Sequence, residues 1–437
     1  MSNELKKSLG FSAALSTVVG IVIGSGVFFK ASEVFTATGA PGLSLLAWIV
    51  AGLITIAAGL TCAELAAAIP KTGGMVIYLK EIYGDTVGFL TGWMLSIVYY
   101  PGLIAALGTI FAQNVVSLLG LNSTIIPAIA IATIVLLAFL NTLGSKTGGL
   151  IQTVSTICKL VPLALIIIFG ILKGDGGSAN LTPMTNPDIN AATGFGTALL
   201  AVLFAYEGWL SAANLAGEMK NPKKDLPKAL SLGLIAVMGV YVLINVAYLW
   251  VLPADQLAAS STPASDVASK IFGSTGGNFI TIGILISVFG TLNALIFTGP
   301  RTLYVLGKEK QLPMSDFIAK VSDNGVSANA IWITSGIGCL FALTGSWGLL
   351  SSVPTFTVWV FYIMTFFGVI KLRKTKPDME RPFLVPLYPI LPIIAIIGGL
   401  YAVISTIFAQ TSYALIGLAL TAIGLPIYMS TKNKNNS

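Results

Sequence analysis

Ser16-Thr17-Val18-Val19-Gly20-Ile21-Val22-Ile23-Gly24-Ser25-Gly26-Val27-Phe28 and Leu203-Phe204-Ala205-Tyr206-Glu207-Gly208-Trp209 lie in the middle of two long apolar runs. Each carries residues that disfavour a continuous apolar helix. In the first, three glycines and a serine crowd the centre; Gly20-xxx-Gly24 taken alone also fits a face for close helix packing. In the second, an acid and a glycine sit at mid-depth. A carboxylate there is expensive unless it faces the protein interior or a water-filled cavity.

The surrounding composition says what solvates these runs. Of 437 residues, 55% are hydrophobic and only 9% charged, and the mean hydropathy is +0.88. A soluble domain carries about 25% charged residues. Forty-six glycines are in keeping with membrane helices, where glycine is frequent. The chain contains no histidine, which removes a Ser-His-Asp triad, a HExxH zinc site and a haem with a proximal histidine. Cys62, Cys158 and Cys339 are far apart in apolar stretches and imply no disulfide framework. The net charge of +7 comes from basic residues scattered in short loops, so no nucleic-acid partner is expected.

A membrane span needs about 20 mostly apolar residues. Twelve are expected, at 11–36, 42–69, 85–117, 124–143, 147–173, 193–217, 228–253, 275–306, 329–346, 350–372, 387–409 and 412–430. The first is too long in its apolar part for a cleaved signal peptide. With a cytoplasmic N-terminus, 20 of the 24 Lys and Arg residues fall inside, while Lys30, Lys173 and Lys270 fall outside and Lys159 lies within a span. That asymmetry sets both termini in the cytoplasm and an even span count. The longest polar connections are 174–192, 254–274 and 307–328, so one membrane domain over 1–437 is expected.

Gly24 lies about 13 residues into the first span and Tyr206 about 13 into the sixth. The first three pairs of spans, taken five apart, start roughly 182, 186 and 190 residues apart. Five spans per repeat is odd, so the second copy enters the membrane from the opposite side. Repeat one covers 11–173 and repeat two 193–372, with 387–430 outside both. Interrupted helices at matching depth in inverted repeats point to a transport site between them. Unwinding at 23–26, around Gly24, frees N–H groups at the positive start of the outer half-helix and a carbonyl at Val22. The sixth span adds carbonyls at Phe204, Ala205 and Glu207. Donors at positive potential beside a cluster of acceptors suit an α-amino acid backbone.

Gly24-Ser25-Gly26-Val27-Phe28, Pro70-Lys71-Thr72-Gly73-Gly74 and Phe204-Ala205-Tyr206-Glu207-Gly208-Trp209 resemble motifs of the amino acid–polyamine–organocation superfamily. The loop 217–228, Gly-Glu-Met-Lys-Asn-Pro-Lys-Lys-Asp-Leu-Pro-Lys, is the most specific mark. The likeness covers about 8–430. Within the superfamily the chain is similar to the L-amino acid transporter branch, and there to bacterial alanine–serine–cysteine exchangers. The resemblance implies an all-α LeuT-type 5+5 fold and sodium-independent exchange of small neutral L-amino acids by alternating access, without a cofactor. It implies that Ser25 and Gly26 N–H groups meet the substrate carboxylate, that carbonyls of Val22, Phe204 and Glu207 meet its amino group, and that Phe204 is an aromatic lid. It also favours Tyr241 as a polar contact. Animal members bond to a glycoprotein through a cysteine after the third span; the loop 118–123 has none, so no disulfide-linked heavy subunit is expected.

Lys159, about twelve residues into the fifth span, cannot easily snorkel to water. In the resembling family its amine stands where sodium-coupled relatives hold an ion, as a fixed cation tying the inner first span to the scaffold. A desolvated lysine also loses its proton readily, so proton-coupled symport is the alternative reading. Glu64 is expected to pair near the cytoplasmic face. The Glu207 side chain points either into the cavity or toward the gate, and Tyr99, Tyr100 and Asn293 are further polar candidates. A channel lacks its filter motif here. An intramembrane enzyme lacks paired acid–base groups, so no catalytic residue and no metal site are expected.

Overall fold

The computed structural model describes residues 11–69, 73–210, 219–322 and 326–436. Pro70-Lys71-Thr72, Gly217-Glu218 and the end of the sixth expected span, 211–217, lie outside the described residues. Among the described residues the chain is helical with no β-strand. The helices run α1 (Phe11–Val22), α2 (Gly26–Thr38), α3 (Pro41–Ala68), α4 (Met75–Tyr83), α5 (Asp85–Met94), α6 (Tyr100–Leu119), α7 (Ile126–Thr142), α8 (Ser145–Lys173), α9 (Ala191–Ala205) and α10 (Pro222–Val251). They continue as α11 (Ala254–Ala259), α12 (Pro263–Thr298), α13 (Pro300–Lys308), α14 (Ser315–Ile318), α15 (Ala328–Ala342), α16 (Trp347–Thr375), α17 (Ile390–Ala409), α18 (Thr411–Ala422) and α19 (Gly424–Asn436). A π turn, Leu95–Tyr99, joins α5 to α6.

Eight of the described helical segments are long and apolar enough to cross a membrane, and α9 and α15 are shorter apolar helices. Two regions read from sequence as polar connections are partly helical. Segment 254–274 carries α11 and the first turns of α12, which bends at Gly273 (φ 73°). Segment 307–328 carries the end of α13 and α14.

The exterior inverts the soluble-protein pattern. Leu53, Leu136, Phe139, Leu172, Phe279, Leu340 and Phe408 all point outward. Such a belt is compatible with hydrocarbon, where helices satisfy their own backbone groups. Small hydroxyl residues in the interior do the same: Thr55, Thr61, Thr357 and Thr365 each donate to the carbonyl four residues back.

Packing pairs the elements in a way that positions the breaks. α3 lies against α10, α8 against α12, α1 against α10 and α2 against α9. Glu64, at the end of α3, is buried and pairs as expected: Arg373 donates to it through Nε at 2.8 Å and Nη2 at 2.5 Å, and the Val385 N–H at 2.8 Å. Arg381 Nε lies 3.6 Å away. Those contacts tie the end of α16 and the middle of the 376–389 connection to α3. On the surface nearby, Lys223 Nζ donates to Glu380 at 2.8 Å and holds that exposed carboxyl below the usual carboxylate range.

Candidate functional site

The first apolar run is broken at its centre. α1 ends at Val22 and α2 begins at Gly26, with Ile23–Ser25 between them in no regular helix. Gly24 N–H turns back to Val22 O at 2.7 Å. The first N–H groups of α2 have no partner within their own helix, and they mark its positive end. Ser25 stands at the N-cap, 1% exposed, and its Oγ makes no hydrogen bond.

The sixth expected span is broken at the matching place. α9 ends at Ala205, and Tyr206–Gly208 form a turn. Gly208 has φ 101°, a left-handed conformation that disfavours side chains. A Cβ there would also lie 2.5 Å from Ile21 Cγ2. Gly208 therefore serves both the turn and its approach to α1.

The two breaks meet. A Cβ on Gly26 would lie 2.5 Å from Ala205 Cα and 2.7 Å from Ala205 Cβ. The space that the missing side chain opens is filled by α9. Close packing of the two half-helices is the reason for glycine here. A Cβ on Gly24 would meet Thr291 Cγ2 of α12 at 3.2 Å, a tight but not prohibitive contact.

Tyr241 of α10 joins the two broken ends. Its hydroxyl lies 2.7 Å from Val22 O and 2.9 Å from Ala205 O. One O–H proton serves two carbonyls, so acceptors exceed donors at this point. Phe204 O takes the N–H of Glu207 at 3.1 Å. Of the carbonyls named from sequence, those of Val22 and Ala205 meet at the Tyr241 hydroxyl.

Lys159 of α8 is 1% exposed and donates to the carbonyls of Gly20 and Ile23, the latter at 2.9 Å. These are carbonyls at the C-terminal end of α1, where the helix dipole is negative and a cation is favoured. The lysine caps the end of α1 and ties it to α8.

The Glu207 side chain reaches Tyr99 of the π turn and Tyr362 of α16. Oε2 accepts from Tyr99 at 2.9 Å and Tyr362 at 3.2 Å. Of the other polar candidates, Asn293 accepts from Asn141 Nδ2 at 2.9 Å, linking α12 to α7. Tyr100 packs edge-on to Tyr99, ring centroids 5.1 Å apart.

Lys30, counted from sequence on the outer side of the membrane, is 1% exposed inside α2. Its ammonium pairs with Glu33, donates to Ser351 Oγ of α16 at 2.8 Å and lies 4.9 Å and 5.0 Å from the ring centres of Phe204 and Trp347. A buried lysine is tolerable when a carboxylate, a hydroxyl and two aromatic faces replace water. The signal in the sequence was local: Lys30 is one turn from Gly26 on the same helix, with Glu33 three residues on. Tyr362, Trp347 and Ser351 of α16 were not anticipated, because no motif marks them.

A family model described as amino acid permease matches residues 9–425. The chain is 40% identical to the serine/threonine exchanger SteT of Bacillus subtilis, covering all of this chain and 99% of that protein. It is 32% identical to the human large neutral amino acids transporter small subunit 2, over 97% of this chain and 80% of that one. With the human b(0,+)-type amino acid transporter 1 the identity is 29%, over 94% and 85%. A multi-pass helical protein with two facing helix breaks, matched over nearly its whole length, belongs to the amino acid permease family.

Proposed function

We propose that this permease is a sodium-independent exchanger of small neutral L-amino acids, such as alanine, serine and cysteine, working by alternating access. The observation that carries the reading is the meeting of the two breaks. On one side are the free N–H groups at the start of α2, with the buried unpaired Ser25 hydroxyl. On the other are carbonyls at Val22 and Ala205 that share one tyrosine proton. A carboxylate supplies acceptors to the first set, and an ammonium supplies donors to the second. Val22, Ser25, Gly26, Phe204, Ala205, Glu207 and Tyr241 form the substrate site in this reading, with Phe204 as the lid. Relatives named as exchangers and amino acid transporters support the class.

The architecture that goes with this function is one domain of twelve spans, a LeuT-type inverted repeat of 11–173 and 193–372, and extra helices at 387–430. α1 with α2, and α9 with the turn after it, are the interrupted members. The protein would sit in the plasma membrane with both termini cytoplasmic, and work without a cofactor or a disulfide-linked heavy subunit. Lys159 acts as the fixed cation that holds the inner half of the first span. Its two acceptors are backbone carbonyls and not an acid, which favours this role over proton delivery.

The test is uptake of labelled alanine or serine into proteoliposomes, preloaded or empty, with and without sodium. Uptake is expected only when a neutral amino acid waits on the far side, and equally in both salts. Equal uptake into empty vesicles, or a strict need for sodium, would refute exchange.

A further inference from the structure

Exposure along α12 and α13 falls on two different faces. In the N-terminal half of α12, Phe279, Ile282 and Ile286 point outward, as befits contact with hydrocarbon. Further on, Thr291, Thr298 and Thr302 are partly exposed, while Leu292, Asn293, Ile296 and Leu303 are buried. The nine residues from Ile282 to Thr291 make about two and a half turns, so these two stand on opposite sides of the helix. Thr291 shows what its side meets: it is the residue that a Cβ on Gly24 would touch, at the centre of the first break. A stripe of partly exposed hydroxyls therefore leads from the break along α12 into α13. Toward α16 the break is covered. Phe204 packs edge-on against Trp347, ring centroids 5.3 Å apart, and the buried Lys30 ammonium lies against both rings.

Arg301 continues the stripe. It follows Thr298 by one turn, is exposed, and holds its guanidinium 4.7 Å over the ring centre of Phe297. Arg373, Lys376, Lys223 and Lys80 each have an acid partner. Among the described residues Arg301 has only the ring. We propose that Arg301 reads the carboxylate of an amino acid passing the cytoplasmic mouth and turns cationic amino acids away; the proposal rests on the amino acid site and orientation described above. A guanidinium matches a carboxylate as a two-pronged donor. A lysine or arginine substrate brings a second cation to the same mouth, and like charge disfavours it. Arg301 lies about 15 Å of helix beyond Thr291, so it does not touch a ligand seated at the break. It acts as a positioning residue, on one face of the membrane. Because it is exposed, salt screens its effect.

The experiment measures half-saturation by serine on each face separately, in everted vesicles and in whole cells, with the opposite face saturated, at low and high ionic strength. In the wild type the cytoplasmic value is expected to rise with salt and the external value to stay level. Arg301→Gln should raise the cytoplasmic value about two- to five-fold, the size that an exposed ion pair supplies. The same variant should lose the salt dependence, admit lysine as a better competitor from that face, and leave the external value unchanged. Arg301→Lys keeps the charge and should stay near the wild type. A change on both faces, or on the external face alone, overturns the proposal. So does an Arg301→Lys variant as impaired as Arg301→Gln, which is the mark of an arginine that only holds the helix. A wild-type cytoplasmic value indifferent to salt overturns it without any variant. Absent trans-stimulation in the wild type would refute exchange itself, and the sidedness of the Arg301 effect would then be read from net efflux and uptake.

Discussion

Lys159 and Lys30 are two buried lysines on opposite sides of one helix break, and each is held in a different way. Among the described residues, Lys159 donates to backbone carbonyls at the end of α1. Lys30 meets a carboxylate, a hydroxyl and two rings. In Lys159→Ala, the Gly20 and Ile23 carbonyls lose a donor, a loss of about 1–3 kcal/mol for a buried acceptor left unpaired. In the proposed exchanger the ligand contacts come from other residues, so the change is expected to fall on the balance between inward- and outward-facing states. A ligand shifts that balance only by its differential affinity for the two. The expected result is exchange slowed by about five-fold or more, with apparent affinity altered more on one face of the membrane than the other. Exchange measured from both faces, with and without a pH gradient, checks this. Loss of pH-driven uptake with exchange intact would identify a proton carrier instead. Lys159 was legible as special because a lysine in mid-span has few bland explanations. Lys30 was not, since it lies near enough to the span end to pass for a loop charge, and its shelter comes from α16, more than 300 residues later.

At the level of elements, the breaks and their meeting were legible, and the residues that touch there were not. Glycine and serine at mid-span 1, and glutamate with glycine at mid-span 6, mark where a helix fails. Only packing reveals that α2 and α9 touch at Gly26 and Ala205. Gly26→Leu is expected to abolish exchange, because its side chain must displace the α9 backbone. Even Gly26→Ala should reduce it strongly, and Ala205→Gly should not restore that variant, since the 2.5 Å approach is to Ala205 Cα as well as to its methyl group. Exchange by the double variant, normalised to protein in the membrane, is the measurement. Recovery would show that the helices can separate and that the glycine answers to something other than α9.

For the whole molecule, the distribution of Lys and Arg predicts orientation, and two exposed positions test it. Lys270, near the start of α12, and Lys376, just beyond α16, lie at opposite ends in the twelve-span reading. An impermeant thiol reagent applied to whole cells should label Lys270→Cys and leave Lys376→Cys untouched until the membrane is opened. The native Cys62 is buried, and Cys158 and Cys339 are only partly exposed on apolar helices, so a cysteine-free parent serves as the blank. The reverse pattern would invert the topology. The amino acid sequence by itself determined that this is a multi-pass membrane protein, that apolar segments of spanning length repeat along it, and that two of them carry helix-breaking residues at matching depth. Those properties are carried by composition, run length and local helix chemistry, all additive along the chain. Tertiary structure alone decided what meets at the breaks: Tyr241 sharing one proton between two carbonyls, Glu207 held by tyrosines of α16 and of the π turn before α6, and Lys30 enclosed beneath Trp347. Each is a contact between residues far apart in sequence. Which side chains fill the space around a break depends on how helices rotate and cross, and no local pattern records that angle.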